Sequence, residues 1–236
     1  MSYRKKRESP KRLKLIFLTG LLMMIGIMLL HLSKDTRGIG DLHKADTSKG
    51  WNLILVNREY RIPDHYQEEI KLTTLTNGKK VDTRIYPDLQ AMFDDARSTG
   101  LQLFVREGYR TSAEQRKIYD DKIVAYQDEG YTKSEAERLT KKWVAIPGTS
   151  EHEIGLAVDI NADTSKCTKD EVYSWLENNS YKYGFIKRYP SDKADITGIS
   201  NEPWHYRYVG KEAAETIYSK KICLEEYLEQ LENKEP

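Results

Sequence analysis

The stretch Ser150-Glu151-His152-Glu153-Ile154-Gly155-Leu156-Ala157-Val158-Asp159 sets a histidine and an aspartate seven residues apart. On a helix His152 and Asp159 would nearly share a face. Gly155 and the β-branched Val158 and Ile160 favour instead a loop that runs into a strand. Asp159 then faces the same side as Ala157, whose small side chain leaves room beside an ion. The segment opens like a helical zinc-protease motif, but the residue four on from His152 is Leu156, so the second histidine of that motif is absent. A second cluster, Glu202-Pro203-Trp204-His205, supplies what is missing. His152, Asp159 and His205 together make a three-ligand nitrogen and oxygen set suited to one Zn2+, with a fourth position left for water. Other divalent ions accept the same ligand types. The remaining histidines, His31, His43 and His65, stand in less telling company: the end of an apolar run, a polar segment, and a polar stretch after Pro63.

Outward from these clusters, helix and strand signals mix irregularly. Pro87 precedes a predicted helix with Leu89, Met92, Phe93 and Ala96 on one face, closed by Gly100. Leu101–Val105 reads as a strand leading into a turn at Gly108. Ser112 and Gln115 have capping-box spacing for a helix running to about Asp128, and Thr168 with Glu171 offers a second box. Another helix fits Ser134–Val144 before the break at Pro147-Gly148. Leu156–Ile160 and Tyr206–Val209 are strand-like, and Leu224, Tyr227, Leu228 and Leu231 mark a final amphipathic helix. The pattern predicts an α+β fold, a single compact domain with a small antiparallel sheet and surrounding helices. No glycine-rich phosphate loop opens a helix, so a nucleotide has no evident seat. Arg106 and Arg188 read as surface charges.

The 236 residues suffice for one good-sized domain plus an appendage. With 39% hydrophobic and 32% charged residues the chain can bury a core. The net charge of +1 is unevenly spread: residues 1–14 carry seven basic side chains against Glu8 alone, which leaves the body mildly acidic. Such a body is poorly suited to nucleic acid, whose affinity comes from clustered Lys and Arg. Residues 15–33 hold no formal charge, and as a helix they would span about 28 Å, close to a hydrocarbon core of about 30 Å. The basic flank places the N-terminus in the cytoplasm and the rest outside. The apolar run is long for a cleaved signal peptide and lacks an Ala-x-Ala site, which favours an uncleaved transmembrane anchor. Polar residues 34–50 then read as a linker, with the folded domain at 51–236 beginning near Trp51. Cys167 and Cys223 are too few for a disulfide framework, and spacing leaves open whether they pair.

The two clusters resemble the VanY-type D-alanyl-D-alanine carboxypeptidases, metallopeptidases that act on peptidoglycan peptides. The family pattern S-x-H-x-x-G-x-A-x-D is met by Ser150, His152, Gly155, Ala157 and Asp159, and E-x-x-W-H by Glu202, Trp204 and His205. Gly108-Tyr109-Arg110-Thr111, followed by Gln115, matches an upstream family element. Tyr183-Gly184-Phe185, Arg188-Tyr189-Pro190 and Thr197-Gly198 also read like the family, so the likeness spans roughly Leu53 to Leu231. It implies zinc on His152, Asp159 and His205, Glu202 as general base, and a catalytic Arg110 acting on either the oxyanion or the substrate's terminal carboxylate. Ser150 and Gln115 are implied substrate contacts. The implied activity is removal of the C-terminal D-Ala from stem peptides displayed at the cell membrane, the residue that glycopeptide antibiotics grip. An L,D-carboxypeptidase, a D,D-dipeptidase and a non-catalytic metal-binding module on the same scaffold are the competing readings.

Overall fold

The sheet that carries the site is built from four antiparallel strands: β5 (Leu103–Glu107), β6 (Ala157–Ala162), β7 (Phe185–Lys187) and β8 (His205–Tyr208), in the order β5-β6-β8-β7. The computed structural model describes residues 42–233. The basic head, the apolar run at 15–33 and the first part of the expected linker lie outside them. Among the described residues no helix is long and apolar enough to cross a membrane.

Every residue of β8 is buried. A strand enclosed between two neighbours and covered on both faces loses the alternation of a half-exposed strand, which is why His205, Tyr206, Arg207 and Tyr208 give no period-two signal. Helix α1 (Tyr86–Ser98) buries Leu89, Met92, Phe93 and Ala96, which share the main core with Leu103, Val105, Val158 and Ile160 of the sheet. Burying side chains of this size stabilises by roughly 1.5–3 kcal/mol each. A second core joins Ile186 and Val209 to helices α5 (Lys211–Lys220) and α6 (Leu224–Glu232) through Ala213, Ala214, Ile217, Leu224 and Leu228. Between β5 and β6 run α2 (Ser112–Asp128) and α3 (Lys133–Thr140), and α4 (Lys169–Asn179) follows β6. The α+β reading with a small antiparallel sheet matches this architecture.

Several details differ from expectation. Pairing begins at His43 rather than near Trp51, because β1 (His43–Lys44) forms a parallel ladder with β2 (Tyr60–Arg61) and Ala45 is buried beyond it. The cap of α2 is Thr111, not Ser112: its hydroxyl accepts from the Glu114 N–H at 3.2 Å, and Glu114 accepts from the Thr111 N–H at 2.7 Å. Helix α3 ends at Thr140, short of Val144. Both cysteines are free, Cys167 beside the Gln102 backbone and Cys223 as the cap of α6. A further hairpin, β3 (Leu72–Thr74) with β4 (Lys80–Asp82), lies against the loop that leads from β5 into α2.

Candidate active site

His152 stands on a single 3-10 turn, Glu151–Ile154, which Gly155 closes with φ 72°. That backbone conformation strains any L side chain, and a Cβ at Gly155 would also meet the Asp82 nitrogen at 3.2 Å. The turn delivers the chain into β6, where Asp159 lies directly across the ladder from His205 on β8. Opposed residues of an antiparallel pair project from the same face. Sheet register therefore fixes two of the three candidate ligands, and a glycine-closed turn adds the third.

The ligand atoms of His152, Asp159 and His205 lie within 4.8 Å of one another. Asp159 Oδ1 is 3.4 Å from His152 Nε2 and 3.1 Å from His205 Nδ1. Tetrahedral ligands held about 2.0–2.1 Å from one centre are about 3.3 Å apart, so these spacings suit zinc. Asp159 Oδ1 is buried and accepts no hydrogen bond. A buried oxygen left so costs roughly 1–3 kcal/mol, and a cation between the three groups removes that cost. The donor set and the orphaned oxygen both fit the ion that the sequence points to.

Proton affinities in the site diverge. Burial lowers the pKa of His152, and the nearby Arg110 lowers it further against the pull of Asp159. Burial also opposes charge on His205, yet the flanking carboxylates Asp159 and Glu151 push it up to about 9. Glu202, 3.7 Å from His205 Nδ1, is pushed up to about 7 by burial, with His205 and Arg110 opposing and Asp159 assisting. Its turn is short and fixed: Glu202 donates its N–H to Tyr189 O, and His205 donates its own back to Glu202 O.

Arg110 reaches the same point from the start of α2. Its Nη1 donates to Gln115 Oε1 at 3.1 Å and its Nη2 to Asp159 Oδ2 at 3.5 Å. Gln115 is buried, and its Nε2 donates to Ala145 O at 2.8 Å. Because the capping box uses Thr111 and Glu114, Gln115 is free to point inward and hold the guanidinium. Ser150, Arg110 and Glu202 line the polar side of a cavity of about 170 Å³, with Trp143, Ile199 and Tyr189 on its apolar side. A larger groove of about 360 Å³, bounded by Leu53, Leu55 and Leu228, contains none of the ligands. Volume alone thus misplaces the site, and the donor geometry locates it.

A buried ionic network that sequence reasoning missed lies behind His205. Glu151 Oε1 accepts from Arg188 Nε at 2.7 Å and Arg207 Nη1 at 2.9 Å. Its Oε2 faces His205 Nε2 at 3.4 Å. Arg188 forks onto Glu225 at 2.8 and 2.6 Å, and Arg207 donates to the carbonyls of Asn52 and Ile54. Two guanidinium groups thus balance two carboxylates, the condition under which charges tolerate burial. Burial works against the Glu151 anion, but Arg188 and Arg207 hold its pKa far below the usual carboxylate range. Arg188 is accordingly not a surface charge: it is 1% exposed. Arg106 does lie at the surface. Two signals in the sequence pointed this way: Glu151 adjoins a ligand, and Arg207 sits two residues beyond one, on the same strand face.

The family described as VanY, D-alanyl-D-alanine carboxypeptidase, matches residues 78–211. A D-alanyl-D-alanine carboxypeptidase of Enterococcus faecalis (strain ATCC 700802 / V583) is 56% identical over 178 residues, which cover 75% of this chain and 66% of that relative. The chain thus spans just under two thirds of that relative's length. A solved structure of a mutant VanY D,D-pentapeptidase from a VanB-type vancomycin resistance cassette, in complex with Zn(II), superposes with a TM-score of 0.73 at 56% identity, covering 75% of this chain and 99% of that one. VanYB in complex with D-alanine-D-alanine gives 0.74 at 54% identity, covering 79% and 99%. With the ligand set, the buried carboxylate and these likenesses in hand, the chain belongs to the VanY family of D-alanyl-D-alanine carboxypeptidases.

Proposed function

We propose that this chain is a zinc-dependent carboxypeptidase that removes the C-terminal D-Ala from peptidoglycan precursor stem peptides, and thereby the residue that glycopeptide antibiotics grip. The observation that carries the reading is the convergence of His152, Asp159 and His205 beside Glu202, a buried carboxyl group whose pKa is raised to about 7. Bound zinc lowers the pKa of a coordinated water from about 15.7 to roughly 7 and polarises a carbonyl. Glu202 takes a proton from the attacking water and hands it to the departing D-Ala amine. Arg110, steadied by Gln115 and Asp159, presents positive charge to the cavity for the terminal carboxylate or the developing oxyanion. A substrate ending in an amide separates those two roles. Ser150 at the cavity wall hydrogen-bonds the peptide end, whereas Gln115 acts on substrate through Arg110.

The test is D-Ala release from a stem pentapeptide by the zinc-loaded chain, with and without a chelator, beside a tetrapeptide and free D-Ala-D-Ala. Chelator-sensitive release from the pentapeptide, with little from the others, is expected. Folded, zinc-loaded protein that prefers the tetrapeptide would be an L,D-carboxypeptidase, and one that prefers the dipeptide would be a D,D-dipeptidase.

The placement proposed with this activity is a single-pass membrane anchor at 15–33, N-terminus in the cytoplasm and catalytic domain outside. Its support is the uncharged run behind a basic flank. The full chain should sediment with membranes and resist carbonate extraction, while residues 34 onward should not.

A further inference from the structure

An imidazole ligates a metal through its unprotonated nitrogen, and the partner of the other nitrogen decides which one that is. The two candidate histidines are set in opposite senses. His152 Nδ1 lies 2.8 Å from Gly108 O. A carbonyl can only accept, so Nδ1 carries the proton and Nε2 is left for the ion. His205 is reversed: Nδ1 faces Asp159, and Nε2 faces Glu151 Oε2 at 3.4 Å. The Glu151 carboxylate has little freedom to turn away. Its other oxygen takes two guanidinium donors, and those arginines are tied in turn to Glu225 and to the Asn52 and Ile54 carbonyls.

We infer that Glu151 is a positioning residue that holds His205 in the Nε2–H tautomer and so presents Nδ1 to the metal, with Arg188 and Arg207 fixing the carboxylate in place. Glu151 touches neither substrate nor the reacting atoms; it acts through His205. The inference rests on the metal-site part of the proposed function and is independent of which peptide bond is cut.

Replacement by glutamine frustrates the arrangement in either orientation. With the amide nitrogen toward His205, a donor faces Nε2 and favours the wrong tautomer. With it toward the arginines, a donor faces two donors.

Two measurements on the full chain test this, neither using peptidase activity. In long-range proton–nitrogen correlation spectra of the 15N-labelled, zinc-loaded chain, His205 should be protonated on Nε2 and His152 on Nδ1. Zinc affinity of Glu151→Gln, measured by competition with a chromophoric chelator, should fall about 10–100-fold, with circular dichroism and a denaturation midpoint confirming the fold. His205 protonated on Nδ1 in the zinc-loaded chain overturns the inference, as does a folded Glu151→Gln within twofold of the parent's zinc affinity. Should the variant not fold, the spectrum of the parent chain decides alone. A chain that takes up no zinc overturns both this role and the zinc reading. A chain that passes both measurements but cuts a different peptide loses only the proposed substrate.

Discussion

His152 and His205 reach one point in space from two regions that are fastened in different ways. The His152 turn is secured by backbone geometry: the Gly108 carbonyl on Nδ1, the left-handed Gly155, and the Arg110 N–H on the His152 carbonyl. The His205 strand is secured by charge, through Glu151, Arg188, Arg207 and Glu225. The first fastening is made by backbone groups and is neutral, so steric changes should break it. The second is ionic and reaches back to Glu151 on the His152 turn, so loss of one charge should break it, and acid should weaken it. Glu202, the proposed proton acceptor, takes part in neither fastening, so holding and reacting can be struck separately.

The largest effect should come from Glu202→Gln, which leaves both fastenings in place. Loss of a general base lowers kcat by about 10²–10⁴, while zinc affinity and denaturation midpoint should stay near those of the parent. A variant that kept normal zinc-dependent turnover would remove Glu202 from the mechanism. If instead zinc affinity fell in step with kcat, the division between holding and reacting would fail.

Next in size is Glu225→Ala, which strikes the ionic region at its far end. Arg188 has a side chain with no exposure and would be left with Glu151 alone. Removing one partner of a buried pair costs about 3–5 kcal/mol; Glu225 is 14% exposed, which points to the lower end, about 3 kcal/mol. Urea denaturation of the metal-free chain at pH 7 measures this. Burial raises the pKa of Glu225, but Arg188 more than offsets it, and the net shift is downward. A depressed folded-state pKa gives stability that is fully present above the unfolded value of 4.5 and is lost as pH falls toward the folded value. The parent should therefore lose stability below about pH 4.5, and the alanine variant should lose less over the same interval. Parallel curves for the two would sink the assignment.

The neutral, backbone-fastened region is struck by Gly155→Ala. Forcing an L residue into the left-handed conformation costs roughly 1–2 kcal/mol, and the Asp82 nitrogen stands 3.2 Å from the new Cβ. The denaturation midpoint should fall accordingly without the acid dependence that marks the ionic side. Zinc affinity should fall as well, since the turn that aims His152 must shift.

Legibility in the sequence divides along the same line. The candidate ligands and Glu202, which the structure brings to one cavity, stand out in the sequence because they cluster: Ser150 to Asp159 fit one short pattern and Glu202 to His205 another. The turn-to-strand reading followed from Gly155 and Val158, whose conformational preferences are local. The ionic network was not readable, because Glu151 meets Arg188 and Arg207 only after β7 and β8 close onto the sheet. Only the positions of Glu151 beside His152 and of Arg207 two residues beyond His205 hint at that encounter, and neither names its partner. A lone arginine is ordinarily exposed, so Arg188 looked like a surface charge although a family likeness passed through it. Residues 43–50 looked like tether because a two-residue ladder has no hydrophobic period to detect. Spacing alone leaves the cap of α2 ambiguous by one position, since Thr111/Glu114 and Ser112/Gln115 both satisfy the box, and the structure selects Thr111.

That one-position ambiguity gives the smallest and sharpest prediction. Thr111 and Ser112 are adjacent hydroxyl residues, and only the structure assigns them different work. Thr111 Oγ1 accepts the Glu114 N–H at the open end of α2, whereas Ser112 Oγ donates to Gln67 Oε1 at the surface. Thr111→Ala should therefore cost about 1 kcal/mol, the usual value of a cap, and Ser112→Ala about 0.5 kcal/mol or less. The first turn of this helix also carries Gln115, which holds Arg110 toward the metal ligands. Loosening the turn should raise KM for the pentapeptide a few-fold in Thr111→Ala, leaving kcat and zinc affinity nearly unchanged. Equal losses in the two variants would mean that both hydroxyls share the cap. A larger loss in Ser112→Ala would restore the register first expected and turn Gln115 away from Arg110, leaving the guanidinium to be held by Asp159 and Glu107 alone.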